Sequence, residues 1–187
     1  MCIVTIEVSM SQHHSLIESL LTFLFPDRCA GCQRLGELFC ASCQASLVPY
    51  PDILSESFDG ITHVHIAFVY QTPLREAIHQ LKYHRLRRVA RPLGVLLAAY
   101  VATHPFSADA VVPVPLHASR LIERGFNQAE ELAQALTQMG LPLINDKLIR
   151  IRKTEQQVGL TMRERRRNVD KAFAWGGTAA PIRPSAA

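Results

Sequence analysis

Val111-Val-Pro-Val-Pro-Leu-His-Ala-Ser-Arg-Leu-Ile-Glu-Arg-Gly-Phe-Asn-Gln128 is the stretch on which the reading of this chain turns. Ala110 to Val114 reads as a short buried strand stopped by Pro113 and Pro115, followed by a loop carrying Arg120 and Arg124 and a helix that starts after Asn127. In an α/β domain the loop at the carboxyl end of a strand is where ligands sit. Two guanidiniums there offer forked donors that fit phosphate oxygens, so the loop predicts an anionic ligand. Asn127 and Glu130 form a capping-box-like start, and Glu130 and Glu131 put negative charge on the first helical turn. An anion would therefore lean on the arginines and the loop backbone more than on the helix dipole. The plainer alternative is an ordinary strand-to-helix connection with solvated arginines.

The run Val-Pro-Val-Pro-Leu-His, then Arg120 and Arg124-Gly-Phe-Asn-Gln128, resembles the ComF/GntX family of competence and DNA-utilisation proteins. Those proteins look like type I phosphoribosyltransferases joined to a small amino-terminal zinc module, and the resemblance covers roughly Cys29 to Phe173. Lys82-Tyr83 matches the lysine-tyrosine pair of that family. Arg150, Thr154, Gln157, Gly159-Leu160, Glu164-Arg165, Asn168 and Ala172-Phe173 reproduce its second signature in register. The fold this implies is an α/β one: a type I phosphoribosyltransferase-like parallel sheet with helices, preceded by a small four-cysteine zinc module.

The resemblance also implies site residues and partners. Lys82, Tyr83, Arg120, Arg124, Gly125, Asn127 and Gln128 would bind phosphate or pyrophosphate. Arg150, Gln157, Arg163, Arg165, Arg166 and Asn168 would form a mobile hood over a substrate or a nucleic-acid-binding surface. The ligand would be phosphoribosyl pyrophosphate, with Mg²⁺, or single-stranded DNA, and the partners competence or DNA-processing proteins. Alternative readings are an active phosphoribosyltransferase and a zinc-module adaptor that recruits a protein.

The strongest signal from spacing alone lies nearer the amino terminus. Cys29-Ala-Gly-Cys32 and Cys40-Ala-Ser-Cys43 are two Cys-x-x-Cys pairs separated by seven residues. Two such knuckles supply four sulfurs for one tetrahedral ion, with no position left open, and ligand type favours structural zinc. Two disulfides and an iron–sulfur cluster are the competing readings. Cys2 falls outside the pattern and reads as a free thiol.

With 187 residues and 48% hydrophobic content the chain can build one α/β domain plus a small appendage. The longest apolar run, Leu93 to Ala102, suits a buried helix and is too short to span a bilayer. The amino terminus lacks a basic region ahead of its apolar residues, so neither a signal peptide nor a membrane span is predicted, and a cytoplasmic protein follows. The net charge of +4 is uneven: Lys147 to Lys171 holds nine Lys/Arg against three acidic residues. Such a segment suits a polyanion or a phosphorylated small molecule, although charged helices are commonly just solvated.

Domain limits follow from composition. Residues 1–47 form a helix (Ser15 to Phe25) and the cysteine module, with Met10 a candidate start, and 48–60, holding Pro49 and Pro51, a linker. Residues 61–173 form the phosphoribosyltransferase-like domain. Ile61 to Tyr70 alternates as a strand with His63 and His65 on its solvent face rather than as a metal pair. Thr72-Pro73 caps a helix striped by Leu74, Ala77, Ile78 and Leu81. Thr161-Met-Arg-Glu164 is a capping box that starts a helix at Met162. The chain contains no Asp-Asp pair and no Thr-Thr-Gly, the elements with which the family grips the ribose and its phosphate. Residues 174–187 read as an aberrant or disordered tail, and the domain as incomplete. Catalysis is therefore in doubt, and an exposed sheet edge with low solubility is predicted.

Overall fold

The computed structural model of the protein describes residues 26–51, 61, 63–104, 108–155, 157 and 159–177. The readings of Cys2, Met10 and the Ser15–Phe25 helix lie outside these residues, as do most of 48–60 and everything after 177.

The cysteine module is a pair of tight turns followed by a one-turn helix, α1 (Ala41–Ala45). An antiparallel bridge pairs Arg28 with Leu35, and the Cys29 amide donates to the Arg34 carbonyl at 2.8 Å. Helix α2 (Leu74–Tyr83) follows, burying Leu74, Ala77 and Leu81. Its apolar stripe at spacings 3, 4 and 7 is the one the sequence predicts. The expected Thr72 cap does not form: Pro73 occupies the N-cap position without a side-chain hydrogen bond. A 3-10 turn (Arg87–Val89) leads into α3 (Ala90–Thr103).

Helix α3 departs from the buried helix expected for the Leu93–Ala102 run. Only Ala90, Leu93 and Gly94 are buried, and Val95 is 61% exposed. It packs against α5 (Gln128–Thr137), while α4 (Ala118–Arg124) stands in what the sequence suggests is a loop. Then come β1 (Leu148–Arg150), α6 (Met162–Val169) and β2 (Phe173–Trp175).

The architecture is mixed: helices with a small two-stranded sheet, in which β1 and β2 run antiparallel with Leu148 opposite Trp175 and Arg150 opposite Phe173. The expected strand at Ala110–Val114 is reduced to a single parallel bridge between Val111 and Leu143. The Val111 amide donates to Pro142 and the Ile144 amide to Val111, both at 2.9 Å. The ladder stops there because Pro113 and Pro115 have no N–H to offer. Residues 48–50, placed in the linker by composition, pair instead with 67–69: Val69 donates to the Val48 carbonyl at 2.9 Å and Tyr50 to that of Ala67 at 3.2 Å. His63 and His65 are exposed, alternating with partly buried Val64 and Ile66.

One continuous cluster of buried side chains joins the module to the helices: Cys29, Ala30, Phe39, Cys40 and Cys43 meet Leu74, Ala77, Leu81, Val89, Ala90, Leu93 and Phe126. Across the same junction Arg88 grips the Asp27 carboxylate with two nitrogens, at 2.8 and 2.9 Å. No helix among the described residues is long and apolar enough to cross a membrane.

Candidate metal centre and cationic basin

The four module cysteines converge, all their sulfurs lying within 4.8 Å of one another. Cys29 and Cys43 are 3.6 Å apart at sulfur, as are Cys32 and Cys40. A tetrahedral ion with bonds of about 2.3 Å to sulfur holds its ligands roughly 3.8 Å apart, so this quartet has the size of a single-ion site. A multi-iron cluster would push the sulfurs further apart. The Cys40 amide donates to Cys29 Sγ at 3.3 Å, a backbone contact that orients a ligand sulfur as outer-shell groups do at metal sites. The Ser42 hydroxyl, 3.2 Å from Cys40 Sγ, is the main cause lowering that thiol to about 6, while burial pushes the Cys43 thiol up. Four close thiols can hold a metal ion.

A second site lies at the far end of α2. Lys82 and Tyr83 from α2, Arg120, Arg124 and Gln128 from α4 and α5, and Arg150, Lys153, Thr154 and Gln157 from β1 and the residues after it line a basin of about 790 Å³. Arg85, Leu116, Ser119, Glu123 and Glu155 complete it, so six cations face two carboxylates.

Local sequence explains how the arginines meet. Arg120 and Arg124 are four apart on a helix, hence on one face. His117 caps that helix by accepting from the Ser119 amide at 3.3 Å, and Gly125, with φ of +85°, ends it in the left-handed conformation glycine adopts without strain. Asn127 then starts α5: its Oδ1 accepts from the Ala129 amide at 3.1 Å and its Nδ2 donates to the Val114 carbonyl at 3.2 Å. The reciprocal Glu130 half of the expected capping box is diverted, since Glu130 accepts from Asn145 at 2.8 Å.

The basin's cations outnumber its counter-charges. Burial lowers the Lys82 ammonium from its ordinary range, and Arg124 adds to the effect. Burial also lowers Arg124, with Arg120 acting in the same direction, and lowers Arg150, with Arg120 and Arg152 adding repulsion. Arg124 donates to the Gln128 amide oxygen. Thr154, 5% exposed, receives Arg150 at its hydroxyl and Arg120 at its carbonyl, the latter at 3.4 Å. The Arg150 guanidinium lies 5.3 Å from the Phe173 ring centre, and its Nε is buried without a hydrogen-bond partner among the described residues.

Of the residues singled out from sequence, Lys82, Tyr83, Arg120, Arg124, Gln128, Arg150 and Gln157 come together in this basin. Gly125 and Asn127 are not in its lining; they end one helix and begin the next. Arg163, Arg165 and Arg166 are exposed on α6, outside the lining. Asn168 is also outside it and clasps the Glu155 backbone, accepting from its N–H and donating to its carbonyl, both at 3.0 Å. Sequence reasoning missed Arg85, Ser119, Lys153 and Thr154 as lining residues. The signal for Thr154 was its place in the second family signature, between Arg150 and Gln157.

The molecule is thus defined by a four-cysteine cluster that could hold a metal ion, sharing a core with a helical unit that carries a cationic basin. The chain is 31% identical to Competence protein F of Haemophilus influenzae over 160 residues, covering 78% of this chain and 69% of that protein. It is 36% identical over 110 residues to the DNA utilization protein YhgH of Salmonella typhimurium and of Escherichia coli, covering 56% of this chain and 48% of those proteins. It thus spans about half the length of the YhgH relatives. No protein-family model and no solved structure matches it. The chain belongs to the ComF family.

Proposed function

We propose that this chain serves DNA uptake or utilisation, in keeping with relatives named for competence and for DNA utilization, and that its basin binds the phosphate groups of phosphoribosyl pyrophosphate or of single-stranded DNA. On this reading residues 61–173 are a phosphoribosyltransferase-type domain, residues 1–47 carry the metal module, 48–60 join the two and 174–187 form a tail. Competence or DNA-processing proteins would be its partners in the cytoplasm. The observation that carries the binding reading is the set of part-buried cations Lys82, Arg124 and Arg150, each destabilised by burial and by neighbouring positive charge. An anion would cancel the mutual repulsion and its charge would compensate for the water lost on burial.

Arg120 and Arg124 would grip phosphate oxygens with paired N–H groups, Lys82 would act as a point charge, and Thr154 would hold Arg120 and Arg150 in register. Zinc is the ion that four thiolates with this spacing fit, and bound there it would supply folding energy rather than reactivity. Phosphoribosyl pyrophosphate would bring Mg²⁺ with it.

The test is the salt dependence of binding to a fluorescent thymidine oligonucleotide, with inorganic pyrophosphate as competitor. Three to four neutralised phosphates give a log–log slope of roughly −2 to −3 for a single strand. Pyrophosphate should displace the strand, and Arg124→Ala should weaken both. A slope near zero, or a strand that pyrophosphate cannot displace, would defeat the reading.

A further inference from the structure

Three aromatic side chains stand in the open at the carboxyl end of α2, and nothing in the preceding reading uses them as a group. The His79 and Tyr83 rings are 4.6 Å apart at their centres and tilted by 42°; His79 and His84 are 5.5 Å apart at 51°. All three residues are exposed, Tyr83 by 53%. His79 and Tyr83 are four apart on the helix and so share a face, while His84 sits in the turn that ends it. Tyr83 is also part of the basin lining, flanked there by Lys82 and Arg85, whereas His79 and His84 lie outside that lining. The aromatic row therefore starts inside the cationic basin and runs out over its rim.

We infer that this row is a base-stacking platform, and that the ligand it selects is a single-stranded polynucleotide whose backbone phosphates occupy the basin. A bare phosphate or pyrophosphate needs cations and has no use for three adjoining exposed rings. A single strand needs both, because its phosphates seek positive charge and its unpaired bases present flat π-faces. Stacking is tolerant of base identity, so the platform contributes affinity without sequence preference. Duplex DNA, with its bases already stacked on each other, gains nothing from it. The inference rests on the phosphate-binding reading of the basin and adds the base-binding residues His79 and His84 to it.

The experiment compares three probes at one ionic strength: inorganic pyrophosphate, a thymidine dodecanucleotide, and an abasic strand of equal length with the same backbone and no bases. Each is measured against the wild-type chain and against the double variant His79→Ala/His84→Ala, in which both changes fall on exposed side chains outside the basin. The wild type should bind the thymidine strand roughly tenfold or more above the abasic strand, the gain expected from one well-stacked base. In the variant that gap should narrow to about threefold or less, the remainder being what Tyr83 holds alone, while pyrophosphate affinity stays unchanged. Equal binding of the two strands by the wild type, or a gap that stays above about threefold in the variant, overturns the platform and leaves the basin standing. A gap that behaves as expected while pyrophosphate fails to bind supports the platform and overturns the basin reading instead. Absence of binding by all three probes overturns both.

Discussion

Gly31→Ala tests the seam between the metal module and the helices. A methyl group on Gly31 would stand 2.6 Å from Pro73 Cβ, 2.9 Å from Cys43 Sγ and 3.1 Å from the Phe39 ring. Carbon atoms rest at about 3.5–4.0 Å, so the methyl overlaps the proline ring by roughly 1 Å. None of the three neighbours is the free end of a flexible chain: Pro73, Cys43 and Phe39 are all buried. Overpacking of this kind costs about 1–3 kcal/mol. For a chain of this size 1 kcal/mol moves the melting temperature by about 2–4 °C, so a fall of roughly 2–12 °C is expected. The displaced Cys43 sulfur should also loosen the metal site. The assay is a thermal melt followed by circular dichroism, paired with metal content by mass spectrometry. A variant that melts within about 1 °C of wild type and keeps its metal would refute direct seating of the module on Pro73.

The remaining expectations concern each site in turn. Cys43→Ser should lose most of the bound metal, and a chelator should make the wild-type thiols reactive to a disulfide reagent; elemental analysis should give one metal ion per chain, and none would sink the zinc reading. Anion affinity should fall as pH rises through the lowered Lys82 pKa, because the ammonium that meets the anion is lost there, earlier than from an ordinary lysine. Arg124→Ala removes a secondary cause of that lowering, so isothermal titration across pH should move the residual fall upward; a downward move would contradict the electrostatics. Asn168→Ala removes two hydrogen bonds to the Glu155 backbone, worth about 0.5–1.5 kcal/mol each, and should speed proteolysis within 152–157. Unchanged cleavage would mean the loop is held elsewhere.

What the sequence made legible was local. The Thr161 capping box is present in both directions, with the Glu164 amide donating to Thr161 Oγ1 at 3.4 Å and the Thr161 amide to Glu164 Oε2 at 2.7 Å, and α6 starts at Met162 as its pattern demands. The α2 stripe and the start of α5 after Asn127 are equally short-range signals. Helix α4 was hidden because it is only seven residues long and sits between prolines and a glycine, a composition that reads as a loop. The parallel pairing of Val111 with Leu143 joins residues far apart in sequence, so no window could reveal it. The same holds for the basin, which draws on three separated stretches around Lys82, Arg120 and Arg150. Physics flagged the Arg120–Arg124 loop as an anion site and the other stretches as basic; family resemblance suggested a common ligand, and the tertiary structure brings them to one cleft.

Because Cys29, Cys40 and Cys43 are core residues as well as metal-ion candidates, they sit in one buried cluster with Leu74, Ala77 and Leu81. Cutting the chain after Ala45 would thus strip the cover from α2 rather than release a detachable adaptor. A metal bound by the folded chain alone adds about 2.7 kcal/mol of stability when its free concentration is a hundred times the dissociation constant. Since α2 also carries Lys82 and Tyr83 into the basin, an ion held by the four cysteines would steady one wall of the cleft proposed to bind anions.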